Sequence, residues 1–173
     1  AGLSHILWNM LWVYFFGSIL ERLWGPKKFL IFYLTCGAVG EIVYSMLALL
    51  GVMSAGSLIG ASGAIFGIVV AVAILLPKLR VYFWGIFPIP MMLLALICIL
   101  VSLLGLRGEN AGGNLCHLAG AAAGAIFVFS ESWRTRIKLR FKASRWQKDI
   151  SQERRLHIEV DRNSRTQAPP PPF

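Results

Sequence analysis

The sequence predicts an all-α membrane protein, a polytopic bundle of apolar helices followed by a polar tail. Three observations carry this expectation. Of the 173 residues, 57% are hydrophobic and only 14% charged, with a mean hydropathy of +0.66; soluble domains usually carry about 25% charged residues. The apolar residues gather in five long, continuous blocks, as membrane-spanning helices require. None of the blocks alternates apolar with polar residues at period two, as the strands of a membrane barrel do.

The first block runs from about Ser4 to Leu20 and is followed by the polar turn Glu21–Lys28. The second covers Phe29 to about Leu50, and a loop of small residues, Gly51 to Ala61, follows it. The third, Ser62 to Leu76, is stopped by Pro77, which cannot continue a helix. An aromatic connector flanked by Lys78 and Arg80 leads to the fourth block, about Phe87 to Leu104, with Pro88 and Pro90 near its start. The Gly/Asn-rich loop Gly105–Asn114 precedes the fifth block, Leu115 to about Phe129. The division expected is a membrane domain over 1–131 and a basic, then Pro-rich tail over 132–173. Beyond Ala143 that tail has few large apolar residues and is expected to be largely disordered. Trp133–Trp146 reads as a basic amphipathic segment suited to a membrane surface.

The net charge of +9 does not signal nucleic-acid binding, because it is concentrated between the apolar blocks and in the tail. That distribution sets membrane orientation. Five spans put Arg22, Lys27, Lys28, Lys78, Arg80 and the seven basic residues from Arg134 to Lys148 on one side, and Arg107 alone on the other. The basic side, with the tail, is therefore expected in the cytoplasm. The third and fifth helices then both run from outside to inside. Cys36, Cys98 and Cys116 form no CxxC pair, so neither a disulfide framework nor a zinc site is expected. No signal peptide is read at the start of the chain.

The third block is short. Its 15 residues from Ser62 to Leu76 make a helix of about 22 Å, against an apolar bilayer core of about 30 Å. Anchored at Pro77, Lys78 and Arg80, such a helix leaves Ser62 below the outer surface. Non-helical backbone above it is tolerated only when buried in protein or lining a watery cavity. A water-accessible depression with a serine at its floor follows.

Ser62 stands in Gly60-Ala61-Ser62-Gly63. Alone this pattern also reads as a helix start, since serine is a favoured N-cap. His117 lies in the fifth block, where an ionisable side chain is costly and commonly functional; a structural histidine bonded to a neighbour is the competing reading. Gly63 and Gly67 follow Ser62, and Gly120 and Gly124 follow His117, each pair four residues apart. Such faces let helices approach closely. Two parallel helices packed along them bring Ser62 and His117 to one depth, where a base could activate the weakly nucleophilic hydroxyl. His5 and Asn9, spaced i, i+4, share a face of the first helix at that level and could donate to a tetrahedral oxyanion; ordinary polarity at a helix end also explains either one.

Taken together, His5-xxx-Asn9, Gly60-x-Ser62-Gly63 and His117-xx-Gly120-xxx-Gly124 on successive spans, with Glu21-Arg22-Leu23-Trp24-Gly25 and Lys27-Lys28-Phe29 after the first, closely resemble the rhomboid family of intramembrane serine proteases. The resemblance covers about Ser4 to Ser130. It implies a six-span core, of which five spans are recognised here and one is expected upstream of Ala1 with a large first loop. It also implies a Ser62–His117 dyad with no acid member, an oxyanion held by the Ser62 N–H, His5 and Asn9, and an open approach to the nucleophile at Gly60. The expected substrates are single-span membrane proteins cut near the outer face of the cell membrane, with no cofactor, metal or nucleic acid. Phe66 stands where many relatives carry a tyrosine that stacks on the catalytic histidine; the phenyl ring can still stack, and only the tyrosine hydroxyl is missing.

Three other readings compete. A non-catalytic rhomboid-like protein that binds membrane clients would typically lack the serine or the histidine, and this chain has both. A transporter or channel would fit the break near Gly60 and the intramembrane Glu41, but no inverted repeat is seen. Other intramembrane proteases need an HExxH motif or membrane aspartates; the first is absent, and Asp149 and Asp161, the chain's aspartates, both lie in the tail.

Overall fold

The computed structural model describes residues 3–52, 61–83, 87–108, 110–130 and 133–166. The first span, Leu3–Trp24, is a continuous helix in three parts: α1 (Leu3–Trp12), a π-helical turn over Val13–Gly17, and α2 (Ser18–Trp24). The wider π turn sits where the helix presses on its neighbour: a Cβ at Gly17 would lie 2.9 Å from the Phe29 ring. Gly25 ends α2 with a positive φ of 86°, a conformation that glycine adopts without strain. Pro26 then opens α3 (Pro26–Leu49) at its first turn, where a missing N–H costs nothing.

The helix α4 (Ser62–Leu75) is apolar all round, the pattern of a helix enclosed by others. It packs against α1, α2, α3, α5 (Met91–Leu104), α6 (Ala111–Ser130) and α7 (Trp133–Thr166). Eleven of its 14 residues are buried, while α1 buries none. The core gathers around α4 with Leu20, Phe32, Cys36, Met91 and Val128. The outward faces of α1, α3 and α5 remain apolar, with Leu7, Leu34, Ile42, Leu96 and Leu100 all exposed. Such surfaces suit lipid rather than water. Leu3–Trp24, Pro26–Leu49 and Ala111–Ser130 are long and apolar enough to cross a membrane, and Ser62–Leu75 and Met91–Arg107 are shorter apolar helices. The protein is thus an all-α membrane bundle, as its composition predicts.

Three boundaries differ from the sequence reading. The connector and the start of the fourth block form a hairpin, β1 (Arg80–Phe83) against β2 (Phe87–Pro90), antiparallel with Val81 opposite Ile89. Prolines disfavour a strand interior but are tolerated where the strand is an edge, and a two-stranded ribbon is all edge. The fifth helix begins at Ala111 rather than Leu115, so His117 lies nearly two turns inside it. Beyond Ala143, where little regular structure is expected, the chain continues as α7 to Thr166. The arginine, lysine, glutamate and glutamine content of α7 favours a helix without needing a core. The tail residues 167–173 lie outside the described residues.

Candidate active site

Ser62 is the first residue of α4, and Ala61, at φ −77° and ψ 10°, is its N-cap without a side-chain capping bond. The capping reading of Ser62 is therefore not what the structure shows. As at any helix start, the first backbone N–H groups of α4 lack intrahelical partners and point toward the Ser62 end. The first helical bond at this end runs from Ile65 N–H to the Ala61 carbonyl, at 3.1 Å.

The helices α4 and α6 meet backbone to backbone. A Cβ at Gly63 would lie 3.1 Å from the Cys116 carbonyl oxygen, and one at Gly67 would lie 3.0 Å from that of Gly120. A Cβ at Gly120 would run into the Gly63 carbonyl, and one at Gly124 would come within 2.6 Å of the Gly67 carbonyl. Side chains at these four positions would hold the helices apart. Beside this junction, where α6 also meets α3, the Cys116 thiol donates to the Gly40 carbonyl at 3.1 Å. Gly63 meets both Cys116 and Gly120, so Ser62, next to Gly63, and His117, next to Cys116, come to the same level.

Ser62 and His117 line one cavity of about 200 Å³, together with His5, Trp8, Asn9 and Trp12 from the first span, Ile65, Phe66 and Val69 from α4, and Cys98 from α5. His117 is half-buried. One face of its ring is covered by Phe66, stacked at 4.1 Å between centroids and 7° between planes. Its Nδ1 lies 3.4 Å from the Ser102 hydroxyl on α5. Asn9 is half-buried and His5 exposed at the rim. Larger grooves lie elsewhere, one of about 520 Å³ between α1 and the hairpin and one of about 600 Å³ between α3 and α6; neither contains Ser62 or His117. Gly60 lies outside the described residues. Glu41 stands exposed on α3, away from the cavity. Among the described residues, no three His, Cys, Asp or Glu side chains are grouped to hold a metal.

The sequence reading did not place Ser102, Cys98, Trp8 or Trp12 at the site. A serine or cysteine within a wholly apolar helix carries no motif, and only the docking of α5 and α1 onto α4 reveals what they face. Chemically, the cavity combines a hydroxyl at a helix N-terminus, an imidazole held in one plane and two further polar side chains, within largely apolar walls.

The rhomboid domain model matches residues 1–134 of the chain. RHOMBOID-like protein 12, mitochondrial, from Arabidopsis thaliana is 30% identical over 138 residues, covering 72% of this chain and 41% of that protein. Rhomboid protease GlpG from Haemophilus influenzae is 26% identical over 128 residues, covering 74% of this chain and 62% of that protein. Putative rhomboid protease YdcA from Bacillus subtilis is 37% identical over 68 residues, or 39% of this chain and 32% of that protein. The chain thus spans less than two thirds of the length of each of these relatives. No solved structure is a significant match. With the family match running through the whole helical bundle and the cavity inside it, the chain belongs to the rhomboid domain family.

Proposed function

We propose that the protein is an intramembrane serine endopeptidase that cleaves single-span membrane proteins near the outer face of the cell membrane. The observation that carries this reading is that Ser62 and His117 share one cavity, on helices in glycine contact, with the imidazole stacked on Phe66. The relatives named as rhomboid proteases support it. In this reading the Ser62 hydroxyl attacks the scissile carbonyl and its proton passes to His117. The oxyanion is held by the Ser62 N–H, by Asn9 and by His5. His117 then protonates the departing amine, and water, deprotonated by the same imidazole, releases the acyl group. Both carboxylates and metals are dispensable to this sequence of steps. The basic loops and the tail face the cytoplasm, so the Ser62 end opens outward.

The test is labelling of the full-length protein by a fluorophosphonate probe, together with cleavage of a model transmembrane substrate. Both are expected to disappear in Ser62→Ala, and cleavage also in His117→Ala. Cleavage surviving in either variant overturns the assignment. A non-catalytic, client-binding protein is the second reading, suggested by the name of the Arabidopsis relative, which reads rhomboid-like and does not contain the word protease. It requires that the unmutated protein fail to label at all.

A further inference from the structure

We propose that Ser102 is a positioning residue for His117: its hydroxyl accepts the Nδ1–H of the imidazole and thereby turns the bare Nε2 toward Ser62. This rests on the Ser62–His117 reading above. Ser102 is 1% exposed, and it is the buried polar side chain of the core among the described residues. It continues the inward face of α5 set by Met91, Leu94 and Ala95, with Cys98 one turn below it in the cavity wall. The position is thus in register with the site. A hydroxyl buried among apolar side chains is costly unless it is paired. Among the described residues, its side-chain partner across the helix junction is His117 Nδ1 at 3.4 Å. That separation is at the long end of hydrogen-bond geometry, and contacts of this kind shorten when substrate fills a site.

The dyad leaves a problem that this contact solves. A neutral imidazole carries its proton on either nitrogen, and the hydrogen bond made by one nitrogen decides which is free. In serine hydrolases with a third member, a carboxylate fixes that choice. Among the described residues no carboxylate lines the cavity, and Phe66 stacking fixes the ring plane without distinguishing its two nitrogens. Ser102 makes the distinction. It is neutral, so it orients the base without adding charge, and it keeps its own proton throughout. The proton that moves is that of Ser62, which goes to Nε2 and then to the leaving amine. The alternative is a structural hydroxyl that folds back on its own helix, as serines in membrane helices can; it leaves the imidazole unaffected.

The experiment compares fluorophosphonate labelling rates of the full-length protein in detergent micelles, with Ser62→Ala as the blank. Ser102→Ala is expected to label about 10-fold more slowly, the usual scale for removing a group that orients a reacting side chain. Ser102→Thr, which keeps the oxygen, is expected to remain within about threefold of the unmutated protein. Wild-type rates in Ser102→Ala, or equal slowing in both variants, overturn the positioning role while leaving the dyad standing. Persistent labelling in Ser62→Ala overturns the dyad itself. Histidine ¹⁵N spectra of the unmutated protein supply a check that needs no variant. The neutral ring of His117 is expected to carry its proton on Nδ1, and a proton found on Nε2 overturns the proposal.

Discussion

Asn9 and His5 occupy one face of α1 a turn apart, yet they stand differently in the cavity. Asn9 is half-buried while His5 is exposed at the rim. A donor shielded from water acts in a lower effective dielectric and is held with less reorganisation, so it stabilises a developing negative charge more strongly. Asn9→Ala is therefore expected to lower kcat for a model substrate by about 100-fold, and His5→Ala by about 10-fold, with KM changed little. Steady-state kinetics of the two variants check the order; a larger loss from His5→Ala would reverse the roles. The residue types and spacing of this pair are legible in the sequence. Their inequality is not, because burial depends on what α4 and α5 place around them.

The junction of α4 and α6 is made by main chain, which cannot retreat as a side chain can. A Cβ at Gly120 meets the Gly63 carbonyl, whereas one at Gly108 meets only the Gly105 carbonyl at an ordinary 3.4 Å. Gly120→Val is expected to cost at least about 3 kcal/mol by forcing the helices apart. Gly108→Ala is expected to stay within about 0.5 kcal/mol of the unmutated protein. Cys36 and Cys116 are buried free thiols beside the junction. Their heat-induced reaction with a thiol-specific dye reads both outcomes, and an unchanged melting curve for Gly120→Val would show that the junction carries little of the stability. The helices α4 and α6 were legible because glycine pairs four residues apart have few other reasons to follow a polar residue in a membrane span. The hairpin was not, since its prolines argue against strands and only pairing between its two halves makes it one.

Across the whole molecule, the Pro77 end of the bundle is closed by α7. Lys142 donates to the Arg22 carbonyl at 2.8 Å and reaches that of Leu23 at 3.5 Å, covering the C-terminal turn of α2, where a cation is favoured. Arg22 in turn lies over the Trp146 ring at 5.7 Å, and Arg154 over Tyr82 at 5.6 Å. Trp146 packs against the core. These contacts put α7 beside α2 and the hairpin, whose residues include the basic Arg22 and Arg80. Charge of one sign gathered at one end favours retention of that end in the cytoplasm. A tag fused after Phe173 is accordingly expected to resist external protease in intact spheroplasts and to be digested once they are lysed. Digestion before lysis would invert the orientation.

The class of molecule, the number and order of its apolar helices, and the candidate serine and histidine are all written in the chain. Each of these depends on local composition or on spacing along one helix. That Ser102 faces Nδ1 from another helix and that α7 returns to cover α2 came from the folded packing alone. Those contacts join residues on different turns or different helices. The rotation and depth at which each helix docks set them, and hydrophobic packing fixes those two quantities without leaving a motif.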